Sequence, residues 1–284
     1  MQNHARQCAV ASALCALLLG GCLSLDVPED AFFYPDARVA AEKIDLPTDA
    51  PMVLPAEVVR LSYAGGDIGT TRIRTGRRDA PLILYCGGNL FRRSSGAGTV
   101  ANELAPFGDV LMFDYPGYGD TAGQADYANF LAAGVAVADA ARAQAEAEGR
   151  KLIAWGHSLG GPVCAQAAAY MKADALVLEA TTPSTRAAVD TMVGWARPFV
   201  RVNIAPNLDA IDVPAALKTY SGKVVVLEAG RDKTLPPALS RRLAHELRTE
   251  GLRVEHLLFP QADHGDVPQQ ADFKPRMAAA LDGL

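Results

Sequence analysis

Five short apolar runs, the helix-length segments between them and one serine framed by glycines predict an α/β fold. The sheet is expected to be mostly parallel, with helices on both faces. The runs are residues 82–86, 110–113, 152–155, 175–179 and 223–228. Short runs without polar alternation are strands covered on both sides, as parallel sheets require. Alternation of such strands with helical stretches completes the pattern. The serine lies in Gly156-His157-Ser158-Leu159-Gly160, where a strand ends and the alanine-rich segment 163–171 begins. Strand, sharp turn, helix is the setting in which Gly-x-Ser-x-Gly lifts a hydroxyl clear of a sheet.

The first 21 residues stand apart from this pattern. Arg6 is followed by a nearly uninterrupted small and apolar stretch from Cys8 to Gly21. That length suits a signal-peptide core and is too short for a transmembrane helix. It ends in Leu19-Gly20-Gly21-Cys22, which resembles the lipobox of bacterial lipoproteins. The resemblance implies cleavage before Cys22, a lipid on Cys22 and a place in the cell envelope. Leu23 follows where the enterobacterial inner-membrane signal would have aspartate, which favours the outer membrane, with the periplasmic face of the inner membrane as the alternative. An ordinary secretory signal or a plain membrane anchor is the alternative reading.

Residues 22–55 carry Pro28, Pro35, Pro47, Pro51 and Pro55 and read as a tether and irregular lead-in, with Phe32-Phe33-Tyr34-Pro35 pinned to the body. The domain proper is expected over 56–284. Residues 58–63 and 68–75 form a hairpin about Gly65-Gly66-Asp67. The buried strands follow, with a helix over 125–149 ended by Gly149. Residues 181–217 break the rhythm, holding Trp195, Phe199 and four prolines, and read as a small lid over the site. Its aromatics suggest an apolar acyl pocket, although such residues are more often packed. The sheet resumes at 223–228. A helix over about 237–250, a strand at 254–259 and a helix at 273–281 close the chain.

A chain of 284 residues, half of them hydrophobic, has material for one large domain with a substantial core. A net charge of −5 without a basic cluster excludes nucleic acid as an expected partner. Of five cysteines, only Cys86 and Cys164 lie within the domain. Their apolar settings favour buried thiols over a disulfide, with geometry to decide.

A serine hydroxyl becomes a good nucleophile when a histidine takes its proton and a carboxylate fixes that histidine's tautomer. His157 adjoins the serine and is expected to point away along the turn. His245 falls within a helix, and His256 within the last strand. His264 follows that strand, where loops beyond parallel strand ends line a crevice. Asp232 likewise follows the 223–228 strand, whereas Asp209 and Asp212 lie in the irregular insertion. The expected set is Ser158, Asp232 and His264, in that chain order. No cluster of histidine, cysteine and acid suits a metal, and no cofactor is expected.

At these residues the chain resembles the α/β-hydrolase superfamily over about residues 57–284. Asp114-Tyr115-Pro116-Gly117-Tyr118-Gly119 is similar to a segment of the Bem46-like and ABHD-like hydrolases. These usually have His-Gly-Asn after the third strand, where this chain reads Gly87-Gly88-Asn89. By alignment, the N–H groups of Asn89 and Leu159 would form the oxyanion hole. The resemblance implies acyl transfer from a carboxylic ester or thioester, from a small or lipid-like substrate. A serine peptidase, or an envelope lipoprotein that uses the scaffold only for binding, is the alternative.

Overall fold

The computed structural model describes residues 23–284. The expected signal peptide and Cys22 lie outside the described residues. The chain opens with β1 (Leu23–Val27) and two short helices, α1 (Glu29–Phe32) and α2 (Asp36–Glu42). Then come β2 (Ala56–Tyr63), β3 (Gly66–Ile73), β4 (Leu82–Cys86), α3 (Arg93–Leu104), β5 (Asp109–Phe113) and α4 (Tyr127–Glu148). The next elements are β6 (Leu152–His157), α5 (Gly160–Met171), β7 (Ala175–Glu179) and α6 (Thr185–Val193). A 3₁₀ turn (Gly194–Phe199) leads to β8 (Val200–Ile204), α7 (Pro206–Asp209) and α8 (Val213–Ala216). The chain ends with β9 (Lys223–Ala229), α9 (Pro237–Thr249), β10 (Val254–Phe259) and α10 (Phe273–Leu281).

Eight strands form one sheet in the order β10-β9-β7-β6-β4-β5-β3-β2. The six from β10 to β5 are parallel, and the hairpin β2–β3 joins the β5 edge antiparallel. This is the predicted α/β-hydrolase arrangement. Alternate strand residues enter two separate cores. Leu82, Leu84, Leu176, Leu178, Val224 and Val226 pack beneath α4, α5 and α9. Ile83, Tyr85, Val177, Val225 and Leu227 pack beneath α3 and α10. A strand buried on both faces has no polar position to spare, which explains the continuous apolar runs.

The connections that leave β4 and β6 diverge. From β4 the chain crosses to β5 on one side, and from β6 it crosses to β7 on the other. Cys86 and Gly156, near the ends of these two strands, are register partners. Such a reversal opens a crevice beyond the carboxyl ends of the strands. The Gly87–Asn89 loop and Ser158 both enter it.

Three expectations are corrected here. Cys86 and Cys164 form a disulfide with Cα atoms 5.8 Å apart, and both are fully buried. Apolar surroundings describe burial and say nothing about pairing. Pairing follows from how closely α5 packs over β4, since a Cβ on Gly160 would lie 1.9 Å from the Cys86 carbonyl oxygen.

The segment after Cys22 is not a tether. β1 pairs in parallel with β8, while Phe33 is pinned to the body as expected, buried against Phe130 with ring centroids 4.7 Å apart. The insertion is also more than a cap. Leu208, Ile211, Val213 and Leu217 are buried in the main core, and Thr181, Thr182, Ala187, Ala188 and Val189 are buried as well, so the exposed part is its middle, residues 190–207.

Candidate active site

Ser158 follows β6 with φ of +53°, a left-handed conformation that an L residue adopts only when its surroundings impose it. Three hydrogen bonds fix this backbone. Its N–H donates to the Glu179 carbonyl at 2.9 Å. Its carbonyl accepts from Gly161 N–H at 3.0 Å and from the Thr181 hydroxyl at 2.7 Å. Glycine is required on both sides for lack of space. A Cβ on Gly156 would lie 2.4 Å from the Gly160 carbonyl oxygen, and one on Gly160 would strike β4.

The structure brings Ser158, His264 and Asp232 together from three loops at the strand ends. Ser158 Oγ lies 2.9 Å from His264 Nε2, and His264 Nδ1 lies 2.7 Å from Asp232 Oδ2. A carboxylate only accepts, so Nδ1 carries the proton and Nε2 of the neutral ring accepts from the serine hydroxyl. Asp232 is buried, and its other oxygen accepts from the N–H groups of Thr234 and Leu235, both at 2.8 Å. The carboxylate therefore has one free direction, and it faces the imidazole.

The other candidates are occupied elsewhere. Asp209 pairs with Arg186 at 2.7 Å, and Asp212 caps α8 through Ala215 N–H at 2.8 Å. His245 is exposed on α9, and His256 lies in β10 with its Nε2 2.8 Å from Glu228. His157 turns away from the serine hydroxyl, as expected, but has a partner that the sequence did not reveal. Its Nε2 lies 2.9 Å from the His264 carbonyl oxygen, and it donates to that oxygen. Removal from water holds its imidazole below the ordinary histidine value.

The two N–H groups expected to form an oxyanion hole lie in loops that follow β4 and β6. Leu159 stands at the N-cap of α5, and Asn89 ends the loop after β4. Among the described residues, neither N–H has a protein acceptor. The loop holding Asn89 is clamped at both ends by the tyrosines of the Asp-Tyr-x-Gly-Tyr-Gly segment. Tyr115 hydroxyl donates to the Gly87 carbonyl at 2.9 Å, and Tyr118 hydroxyl donates to Asn89 Oδ1 at 2.7 Å. The lead-in closes the clamp: Tyr34 N–H donates to the Tyr118 oxygen at 2.8 Å, and Asn89 Nδ2 donates to the Phe32 carbonyl at 2.7 Å. A larger residue at 87 has no room, because a Cβ there would lie 2.4–2.5 Å from the Phe91 side chain.

The sequence profile of the alpha/beta hydrolase family matches residues 87–275, about two thirds of the chain. The chain belongs to the alpha/beta hydrolase family. A Mycobacterium tuberculosis protein, itself uncharacterized, is 29% identical over 234 residues, covering 81% of this chain and 80% of that one. Among solved structures, an esterase of Pyrococcus furiosus superposes with TM-score 0.62 at 14% identity, covering 84% of this chain and 98% of that one. An ester-hydrolase from the Lake Arreo metagenome, complexed with a bipyridine phosphonate derivative, gives 0.63 at 18% identity over 86% of this chain and 87% of its own. At these identities the likeness shows the shared alpha/beta hydrolase fold.

Sequence reasoning left several residues around this alpha/beta hydrolase site without a role. Arg92 is fully buried, donates to Asp36 at 2.8 Å and to the Tyr34 carbonyl, and lies 4.0 Å above the Tyr118 ring. Asp114 accepts from Arg93 N–H at 2.7 Å and so ties the motif to the start of α3. The expected acyl-pocket aromatics are not in a pocket. Trp195 is 87% exposed and Phe199 63%. Both lie in a 3₁₀ turn with no buried residue, so no neighbouring element covers them. Among the described residues no group of histidine, cysteine and acid is placed to hold a metal.

Proposed function

We propose that this protein is a serine hydrolase that cleaves a carboxylic ester or thioester through an acyl-enzyme on Ser158. The observation that carries this reading is the chain of contacts from Ser158 Oγ through His264 to buried Asp232, with the serine held at positive φ. His264 Nε2 takes the serine proton as Oγ bonds to the substrate carbonyl carbon. The carbonyl oxygen gains the negative charge and receives the N–H groups of Asn89 and Leu159. Collapse breaks the bond to the alkoxide or thiolate, which leaves with the proton from His264. Water, deprotonated by the same imidazole, then releases the acid and restores Ser158. Asp232 stabilises the imidazolium in both halves.

The membrane part of the reading rests on the sequence. The lipobox-like Leu19-Gly20-Gly21-Cys22 would place a lipid on Cys22 and anchor the enzyme to the envelope, among acyl-bearing substrates. The Asp114–Gly119 segment supports a Bem46-like place within the family.

The test is hydrolysis of p-nitrophenyl esters from acetyl to palmitoyl, with Ser158→Ala in parallel and a fluorophosphonate probe on both proteins. Turnover and labelling that vanish in S158A are the expected result. An active protein that neither turns slower in S158A nor labels at Ser158 overturns the assignment, and an inert one favours the binding lipoprotein.

A further inference from the structure

We propose that the protruding tip of the insertion is a lipid-bilayer contact, made by side chains and separate from any covalent anchor. Trp195, Phe199 and Met192 are 87%, 63% and 61% exposed, and they fall within eight residues of chain. Large apolar side chains clustered on a surface mark an interaction site. The pairing of β1 with β8 adds to them. Leu25 is the register partner of Val202, and Leu23 that of Val200, the residue that follows Phe199.

This ribbon is two-faced. Ser24, Asp26 and Asn203 are linked by hydrogen bonds on one face. Leu25, Val27, Val200, Val202 and Ile204 alternate onto the other. Val27 and Ile204 pack on the main core at the inner end, while Leu25 in the middle of β1 is 40% exposed. The apolar face thus leaves the core and runs outward to the aromatics.

The bilayer is the occupant because the lipobox cysteine adjoins β1 in sequence. β1 begins one residue after Cys22, so no tether separates the lipobox cysteine from the ribbon. A lipid there enters the membrane beside Phe199 and Trp195, and that end of the molecule then lies against the bilayer. Arg201, on the polar face of the ribbon opposite Ser24, is exposed and forms no ion pair among the described residues, so a cation flanks the apolar face. Trp and Phe beside a cation are the side chains that settle at a membrane interface. The orientation argument rests on the Cys22 reading, but the exposed aromatics do not.

The experiment uses the chain from residue 22 with Cys22→Ser, which carries every described element and no lipid. Its two tryptophans make a built-in probe, since Trp155 is fully buried and Trp195 exposed. Phosphatidylglycerol–phosphatidylethanolamine vesicles should shift the emission to the blue. Brominated acyl chains should quench it, and about 1 M salt, where screening acts within about 3 Å, should leave most of the shift. Trp195→Ala and Phe199→Ala should each weaken vesicle partitioning about tenfold, with hydrolysis of soluble acetyl ester unchanged.

Emission unmoved by vesicles overturns the proposal. So does a blue shift without vesicles that tracks a doubling of mass in light scattering, which would make the patch a contact between copies. Mass spectrometry of the N-terminal residue from cells tests the anchor separately. Vesicle binding by a chain that proves unlipidated in cells still supports the contact. A lipidated Cys22 with an unresponsive Trp195 defeats the contact alone.

Discussion

Tyr115 hydroxyl donates to the carbonyl oxygen of Gly87 at 2.9 Å, and both groups are buried. That bond fixes the first residue of the loop whose third residue, Asn89, is the second oxyanion donor of the proposed mechanism. Tyr118 holds the other end through the Asn89 side chain. Two glycines in a row give this loop little rigidity of its own, and these tyrosines supply it.

Tyr115→Phe leaves the Gly87 carbonyl buried without a partner, a cost of about 1–3 kcal/mol. Tyr118→Phe frees the Asn89 side chain from one of its three partners. On the proposed mechanism both variants should lower kcat about tenfold and change KM little, because a misplaced oxyanion donor is felt in the transition state. Steady-state kinetics on a short ester measures this. A KM effect with kcat intact would show that the loop binds substrate instead.

The disulfide should matter to folding more than to chemistry. It closes a separation of 78 residues, for which chain entropy gives about 4.5 kcal/mol. Cys86→Ala with Cys164→Ala should lower Tm by about 10 °C for a domain of this size. Because both sulfurs are fully buried, a mild reductant should leave the native bond intact and cleave it once denaturant is added. Alkylation of cysteines followed by mass spectrometry reads this directly.

Most of the sheet was legible because a strand buried on both faces must be apolar throughout. Leu82–Cys86 and Ala175–Glu179 fall where their apolar runs end. α3 was not legible. Its sequence carries Gly96 and Gly98 and lacks a side-chain cap, so its propensity is poor. Gly98 is there for fit, since a Cβ would lie 2.0 Å from the Ala50 carbonyl oxygen. The three residues expected at the site could be read because strand ends converge in this topology. Their supports could not, because Tyr34, Arg92 and Tyr118 meet across 84 residues of chain, and only the packed lead-in brings them together.

His157 offers a test of positioning without contact to substrate. Its N–H donates to the His264 carbonyl at 2.9 Å, and so fixes the loop that carries His264. His157→Leu should lower kcat about tenfold, with KM nearly unchanged. His157→Gln, which keeps an N–H donor, should recover much of the loss. The imidazole of His157 is held below its usual value by desolvation and donates as a neutral ring. On the proposed mechanism the acid limb of the pH–rate profile should therefore keep its shape in both variants. A shifted limb would mean that His157 titrates within the catalytic cycle.

Behind His157 a cavity of ≈ 50 Å³ is lined by Glu103, Glu179, Trp155 and Tyr85. Burial pushes the Glu103 carboxyl up from 4.5 to about 7, against a smaller opposing hydrogen bond from Gln269. Burial raises Glu179 as well. The sign follows from proton counting. Below about 4.5 Glu103 holds its proton in both folded and unfolded chains, and contributes nothing to the pH dependence. Between 4.5 and about 7 the unfolded chain has lost the proton and the folded chain keeps it, so stability falls as pH rises. Above that range the penalty is complete and constant. Glu103→Gln is neutral at every pH and can keep a hydrogen bond to Gln269. Its Tm should match the parent at pH 4.5, exceed it increasingly up to pH 7 and hold a constant margin beyond. Thermal melts of the two proteins across this range measure the margin. A difference that is flat with pH would mean that Glu103 is ionised in the folded protein.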